Sequence, residues 1–282
     1  MIRFRSTGLE RPSGAKKILL KLMQSVRGAL LAEVHLKDRQ FDSIFRCETQ
    51  IEASRPMGLW VKEEGTMRWL DEELRPGDVF MDIGANIGIY TIAAAHRVGP
   101  SGKVYAFEPH KMNVLALMRN VAANGFYDRI AVFSCAVSDQ PSIAQFNYSS
   151  VTGGSSGSQF GHARNAGKET EFAPVAREMV LGTSVDALLA ESAIRPPALV
   201  KIDVDGNELA ILRGMKTLLT GPNRPRAVQV EMNVGEHQAI KEFFATCRYE
   251  EAGMHFTSAG KRAAARGVPT SEIAYNAIFR PA

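Results

Sequence analysis

The sequence predicts an α/β fold, a mostly parallel sheet with helices on both faces. Apolar runs at Val79–Ile83, Lys103–Phe107, Ile130–Val137, Ala198–Val204 and Ala227–Met232 read as strands buried on both sides. Segments with helical period alternate with them, at Asn86–Arg97, Met112–Asn124, Val185–Leu189 and Glu208–Leu219. Near the end, Tyr249–Phe256 and Ile273–Phe279 read as two further strands with a polar loop between them, a pair that adds an antiparallel edge.

Ahead of this section, Ala15–Val34 has helical spacing. Ile18, Leu19, Leu22, Val26, Ala29 and Leu30 share one face, with Lys16, Lys17, Lys21 and Arg27 off it. The reading is a helix packed on the domain. The alternative is an amphipathic helix that makes at most weak contact with a membrane surface. Phe41–Ala53 alternates loosely, as a small β-hairpin would. Met67–Leu74 reads as a short helix ended by Arg75-Pro76-Gly77-Asp78. The chain therefore divides into residues 1–64, a basic helix with a small β extension, and residues 65–282, the main domain. One stretch breaks the rhythm: Ser149–Lys168 holds five Ser and five Gly in 20 residues. That is too long for a simple connection, so it is either a disordered insertion or a lid over a substrate.

Composition narrows the function classes. The 282 residues are 45% hydrophobic and 23% charged, as in a soluble globular protein. No run reaches the length of a membrane span, and no apolar leader with a small-residue cleavage site follows the basic start. Cys47, Cys135 and Cys247 lie far apart without a C-x-x-C pair, which suits free thiols in a reducing compartment; the cytoplasm is expected. Residues 1–32 carry seven Lys/Arg against the single acid Glu10, whereas the whole chain has a net charge of +4. The rest is therefore slightly acidic, which argues against nucleic acid as the partner.

The chemistry starts at Asp82-Ile83-Gly84-Ala85-Asn86-Ile87-Gly88. Glycines between a strand and a helix let a ligand approach the backbone, and the helix N-terminus favours an anion. The spacing is not G-x-G-x-x-G, because Asn86 stands where that dinucleotide fingerprint has its second glycine. A pyrophosphate would be cramped there. A carboxylate such as the methionine end of S-adenosylmethionine needs less room, and Asp82 at the strand tip can face the ligand's ammonium. Glu108 ends the second strand, 20 residues beyond Gly88, where a carboxylate can accept hydrogen bonds from both ribose hydroxyls.

At this point the chain resembles a known family. Asp82–Thr91 (DIGANIGIYT), Phe107–Pro109 (FEP), Asn120–Gly125 (NVAANG), Ala136–Asp139 (AVSD), Gly153–Ser156 (GGSS), Lys201–Glu208 (KIDVDGNE) and Val230–Asn233 (VEMN) come in the order of FkbM-type methyltransferases. The resemblance covers about residues 65–235. It implies a Rossmann-like class I methyltransferase fold: a mostly parallel seven-stranded sheet with an antiparallel C-terminal strand. It also implies S-adenosylmethionine as cofactor, with Asp82, Gly84, Asn86, Gly88, Glu108, Ala136 and Asp203 around it. The implied reaction is O-methylation of a hydroxyl on a sugar, a glycan or a secondary metabolite. Two departures are visible. Asp205 replaces the usual Glu, and Asn207 replaces a small residue.

Asp203 and Asp205 lie at the carboxyl end of the fourth strand, and Glu231 and Asn233 at that of the fifth, where open α/β sheets bind ligands. Asp203 and Glu231 are the candidate catalytic residues, with Asp203 first as general base. The expectation is catalysis without a metal. The alternative places Mg²⁺ on Asp203, Glu231 and Asn233. Glu208 reads as a first-turn acid that complements the helix dipole. The histidines show no metal spacing, although His162 and His237 are placed to touch an acceptor. Two competing functions remain: a nicotinamide-dependent oxidoreductase and a non-catalytic S-adenosylmethionine-binding module.

Overall fold

The computed structural model describes residues 32–37, 41–62, 64–164 and 170–282. In chain order it begins with β1 (Ala32–Lys37), β2 (Asp42–Cys47), α1 (Gln50–Lys62) and α2 (Glu64–Glu73). Then follow β3 (Val79–Ile83), α3 (Ile89–Val98), β4 (Lys103–Phe107), α4 (Lys111–Ala123) and β5 (Ile130–Phe133). The middle holds β6 (Ala136–Val137), β7 (Ser142–Tyr148), β8 (Gln159–Phe160), β9 (Ala176–Thr183) and α5 (Val185–Ala190). The last part holds β10 (Leu199–Ile202), α6 (Glu208–Arg213), α7 (Lys216–Thr220), β11 (Ala227–Met232), α8 (His237–Thr246), β12 (Tyr249–Phe256), α9 (Ser258–Ala265) and β13 (Tyr275–Pro281).

The central sheet has seven strands in the order β12-β13-β11-β10-β3-β4-β5. β3, β4, β5, β10 and β11 run parallel, and β13 is antiparallel to both of its neighbours. This is the sheet that the resemblance implies. The chain builds outward from β3 through β4 to β5, then returns to β10 on the other side of β3. The strand order thus reverses between β3 and β10, and a ligand crevice is expected outside their carboxyl ends.

The pleat sorts each apolar run into two layers. Phe80 and Val104 pack with Trp69, Leu70, Ile92 and Leu117 on one face. Met81, Tyr105, Val200 and Ile202 pack with Leu212 and Phe244 on the other. Full burial of each such side chain contributes roughly 1.5–3 kcal/mol. Asp82, Lys201 and Gln229 interrupt the first layer. They are register partners on three adjacent strands, and all three are buried.

The N-terminal part docks on this core. The Thr49 hydroxyl caps α1 by accepting from the Glu52 N–H at 3.0 Å. On α4, Asn120 accepts from the Arg46 N–H at 2.8 Å, and Asn124 both accepts from and donates to the Ile44 backbone. The two asparagines of the NVAANG motif therefore hold the edge of β2.

Several expectations need correction. The expected hairpin is real, but β1 precedes the window given to it, and Gln50–Ala53 belongs to α1. Residues 15–31 of the expected N-terminal helix lie outside the described residues, while Ala32–Val34 is in β1. Ile130–Val137 is two strands, and β6 leaves to join a second sheet of order β6-β9-β7-β8. The first crossover helix starts at Ile89 rather than Asn86, because Asn86 and Gly88 have φ of 50° and 91°. Glu208–Leu219 breaks at Gly214, where a Cβ would stand 2.1 Å from the Ser138 carbonyl oxygen. The three cysteines are free, with Cys47 and Cys247 buried and Cys135 half-buried. Among the described residues no helix is long and apolar enough to cross a membrane.

Candidate active site

The turn after β3 is held by the strand beside it. Gly84 and Ala85 both donate their N–H to the Phe107 carbonyl at 3.0 Å. Gly84 has φ 83°, and a Cβ there would stand 1.9 Å from the Asp203 carbonyl oxygen. Only glycine lets the β3 turn and the end of β10 come this close. Asn86, at φ 50°, is of the residue type that best tolerates this region. Its side chain accepts from the Ile87 N–H and donates to the Ser155 carbonyl, each at 3.0 Å.

Glu108 sits beside this turn, 5% exposed. One carboxylate oxygen accepts from the Asn86 N–H at 2.7 Å, the other from the His110 N–H at 2.8 Å. Burial pushes its carboxyl up to about 7, against the pull of those two bonds. His110 caps α4, accepting from the Asn113 N–H through Nδ1 and donating from Nε2 to the Ser150 carbonyl at 2.8 Å.

Two cavities meet at the turn. One, of about 240 Å³, is lined by Glu108, His110, Ala136, Asp203, Asp205 and Glu231 among others. The second, of about 360 Å³, runs under α1 and is lined by Ile51, Arg55, Leu59, Tyr90, Lys201 and Asp203 among others. Gly84, Asn86, Arg55, Ser156 and Asp203 belong to both walls. Of the sequence candidates, Gly84, Asn86, Glu108, Ala136, Asp203 and Glu231 are thus brought together. Asp82 and Gly88 are not on either wall. Asp82, expected to face a ligand's ammonium, is fully buried, accepts from the Thr91 hydroxyl at 2.6 Å and stands 3.4 Å from the Lys201 ammonium. That ammonium also lies 3.1 Å from Asp203 Oδ2 and so bridges the buried carboxylate and the half-buried one. Gly88 opens α3 against Leu117.

The acidic residues after β10 have separate partners. Asp205 adopts φ 63° and accepts from the Gly157 N–H at 2.7 Å, while its carbonyl accepts from the Gln159 side chain. Burial, then the charge of Asp203, raise its carboxyl. Glu208 is fully buried, and burial pushes it up to about 8. That burial disfavours the charged form of Glu208 on which the first-turn reading depends. Its Oε1 instead accepts from the N–H groups of Val204 and Gly206, at 3.4 and 3.1 Å, and so ties the β10–α6 loop. The Asn233 amide donates to Glu208 at 3.3 Å and to Glu231 at 3.4 Å.

The Ser/Gly stretch crosses the first cavity and is bonded along its length as far as it is described. Gly154 donates its N–H to Asn113 Oδ1 at 2.8 Å, and the Ser155 carbonyl accepts from both Asn86 and Asn113. His162 pairs with Asn207 at 3.1 Å, and His237 bonds the Met232 carbonyl, so each is tied within the protein and neither is on the wall of these two cavities. Arg55, His110, Asn113, Lys201 and Asn207 escaped the sequence reading. Only Lys201 and Asn207 stood inside a quoted motif.

The family model described as "Methyltransferase FkbM domain" matches residues 82–251, more than half of the chain. Over 163 residues the chain is 32% identical to 31-O-demethyl-FK506 methyltransferase FkbM of Streptomyces tacrolimicus, covering 51% of this chain and 62% of that one. Over 174 residues it is 28% identical to the hexuronic acid methyltransferase AglP of Haloferax volcanii, covering 61% and 63%. The chain thus spans about three fifths of the length of the curated relatives it matches. Among solved structures, it is similar to a methyltransferase FkbM from Methylobacillus flagellatus, with TM-score 0.44, 14% identity, 95% of this chain and 60% of that one covered. A putative rRNA-methylase from Clostridium thermocellum gives TM-score 0.47 and 9% identity, with 78% and 95% covered. On the strength of the family match, the chain belongs to the FkbM methyltransferases, whose cofactor is S-adenosylmethionine.

Proposed function

We propose that this chain is an S-adenosylmethionine-dependent O-methyltransferase acting on a hydroxyl of a small molecule or glycan. The observation that carries the reading is the position of Asp203. It stands on the walls of both cavities, one of which also holds Glu108 and the glycine turn. The residues fit the cofactor. Each Glu108 oxygen accepts one backbone N–H and the carboxylate also bonds the Asn113 side chain, which still leaves acceptor capacity for a ribose hydroxyl. Ala136 and Val137 offer an apolar wall beside it. Gly88 contributes by opening α3, and Asp82 by holding Lys201.

When bound, the cofactor supplies an activated methyl group, so alignment does most of the catalysis. Asp203 Oδ2 is held by the Lys201 ammonium, which leaves the other oxygen to take the proton of an acceptor hydroxyl. Glu231, on the same cavity wall, is placed to bond a second acceptor hydroxyl. The class of acceptor is supported by the names of the two curated relatives, a 31-O-demethyl-FK506 methyltransferase and a hexuronic acid methyltransferase.

Asp203→Asn is the test. It should keep cofactor affinity and lower turnover by roughly 10²–10⁴-fold. Full activity would remove Asp203 from the mechanism. Loss of activity on chelation, restored by Mg²⁺, would favour a metal on Asp203, Glu231 and Asn233. Normal cofactor binding without turnover on hydroxylated acceptors would favour a binding module.

A further inference from the structure

We infer that Arg55, supplied by α1 ahead of the family-matched segment, is a carboxylate-binding residue of this site. The inference rests on the S-adenosylmethionine reading above. Arg55 is half-buried and stands where the two cavities meet, with Gly84, Asn86, Ser156 and Asp203. Its Nε donates to the Gly154 carbonyl at 2.9 Å, which fixes the plane of the guanidinium. Among the described residues its two terminal nitrogens make no hydrogen bond or ion pair. The Arg55 charge is felt by the Asp205 carboxyl on the same wall but makes no salt bridge with it, and a guanidinium anchored at Nε with its outer edge on a cavity wall matches the two oxygens of a ligand carboxylate.

The position of α1 is itself fixed. Arg119 pairs with Glu48 and Glu52, both at 2.7 Å, and the Thr49 hydroxyl donates to the Gly153 carbonyl at 2.9 Å. At Gly153 a Cβ would stand 2.1 Å from Glu52 Oε1, and at Gly154 it would stand 2.7 Å from the Glu52 backbone nitrogen. The GGSS motif is therefore shaped to receive α1, and Arg55 reaches the site as a consequence.

Two carboxylates can meet Arg55: that of the cofactor's methionine end, or an acid group on the acceptor. Calorimetry on the wild-type chain and on Arg55→Ala and Arg55→Lys separates them. The probes are S-adenosylhomocysteine, 5′-methylthioadenosine (which lacks the amino-acid end) and glucuronate added to the S-adenosylhomocysteine complex. If Arg55 holds the cofactor carboxylate, S-adenosylhomocysteine affinity falls roughly 10- to 100-fold in Arg55→Ala while methylthioadenosine is unchanged. If it holds an acceptor acid, both nucleosides bind normally and only glucuronate binding is lost. Lysine restores part of either loss. Equal weakening of both nucleosides, or no change with any probe, overturns the inference. Failure of the wild-type chain to bind S-adenosylhomocysteine would instead overturn the cofactor reading.

Discussion

Lys201 joins Asp82 to Asp203 across the floor of the site: its ammonium lies 3.4 Å from the first carboxylate and 3.1 Å from the second, with 1% of the side chain exposed. The join follows from register. Lys201 pairs with Asp82 across the parallel β10–β3 ladder, and Asp203 is two residues further along the chain. The Tyr90 ring, 5.1 Å from the ammonium, adds a cation–π contact.

Removing Lys201 should therefore destabilise the fold. Lys201→Met leaves Asp82 as a buried charge without its counter-ion, which costs about 3–5 kcal/mol. Adding Asp82→Asn removes the unpaired charge and should recover much of that loss. Urea denaturation of the two single variants and the double variant measures the coupling. A Lys201→Met chain as stable as the wild type would mean that the ion pair contributes nothing to folding.

Glu108 gives the site a pH dependence with a defined sign. Its folded carboxyl lies near 7, above the ordinary value of 4.5, because it is buried. The folded chain therefore holds a proton that the unfolded chain has released, and without ligand its stability falls as pH rises from about 4.5 to 7. Ribose hydroxyls donate to the ionised form, so binding releases that proton. Affinity for S-adenosylhomocysteine should rise up to tenfold per pH unit below 7 and level off above it. Calorimetry between pH 5.5 and 8.5 reads this limb, and Glu108→Gln should flatten it. A limb that survives in the glutamine variant belongs to another group.

How much of this was legible beforehand depends on the range of the interactions. Val79–Ile83, Lys103–Phe107 and Ala227–Met232 fall on the expected boundaries, because their burial on both faces leaves a mostly apolar run, broken only by Asp82, Lys103, Gln229 and Glu231. Gly84 and Glu108 were legible because the turn and the strand end are local features. The second sheet was not. β7 and β9 expose Ile143, Met179 and Leu181, which blurs their alternation, and β8 has only two residues. Arg55 and Asn113 have no local signature at all. They reach the site through the docking of α1 and through loop contacts 99 and 41–42 residues away in sequence.

The two glycines of the turn should respond differently to alanine. At Gly84 the added Cβ meets the Asp203 backbone oxygen at 1.9 Å, which cannot yield without moving β10. At Gly88 it meets the Leu117 Cδ1 at 2.4 Å, the far end of a side chain that can rotate. Both carry positive φ, which costs alanine about 1–2 kcal/mol in either place. Gly84→Ala should therefore lose more stability than Gly88→Ala, and should lose binding of S-adenosylhomocysteine as well. Thermal unfolding with and without that ligand compares them. Equal losses would mean that the approach of the β3 turn to β10 is less tight than described.

The last prediction concerns the Ser/Gly stretch, for which the open choice was insertion or lid. Five of its backbone groups are bonded to side chains of the site: the Ser150 carbonyl to His110, the Gly154 N–H to Asn113 and its carbonyl to Arg55, the Ser155 carbonyl to Asn86 and Asn113, and the Gly157 N–H to Asp205. Asn113 makes two of these contacts from inside α4, where it is 2% exposed. Each bond contributes only about 0.5–1.5 kcal/mol, so the segment is held against a modest opening free energy. A cofactor lying beneath it would add contacts available only in the closed form. Amide exchange over residues 150–158 should therefore slow when S-adenosylhomocysteine binds. Asn113→Ala should speed exchange there roughly tenfold or more without ligand, and should accelerate release of the ligand. Exchange elsewhere, for example in β3 and β4, should stay unchanged. Exchange in the segment that is insensitive both to the ligand and to Asn113→Ala would show that it does not close the site, and the choice would pass to a plain insertion.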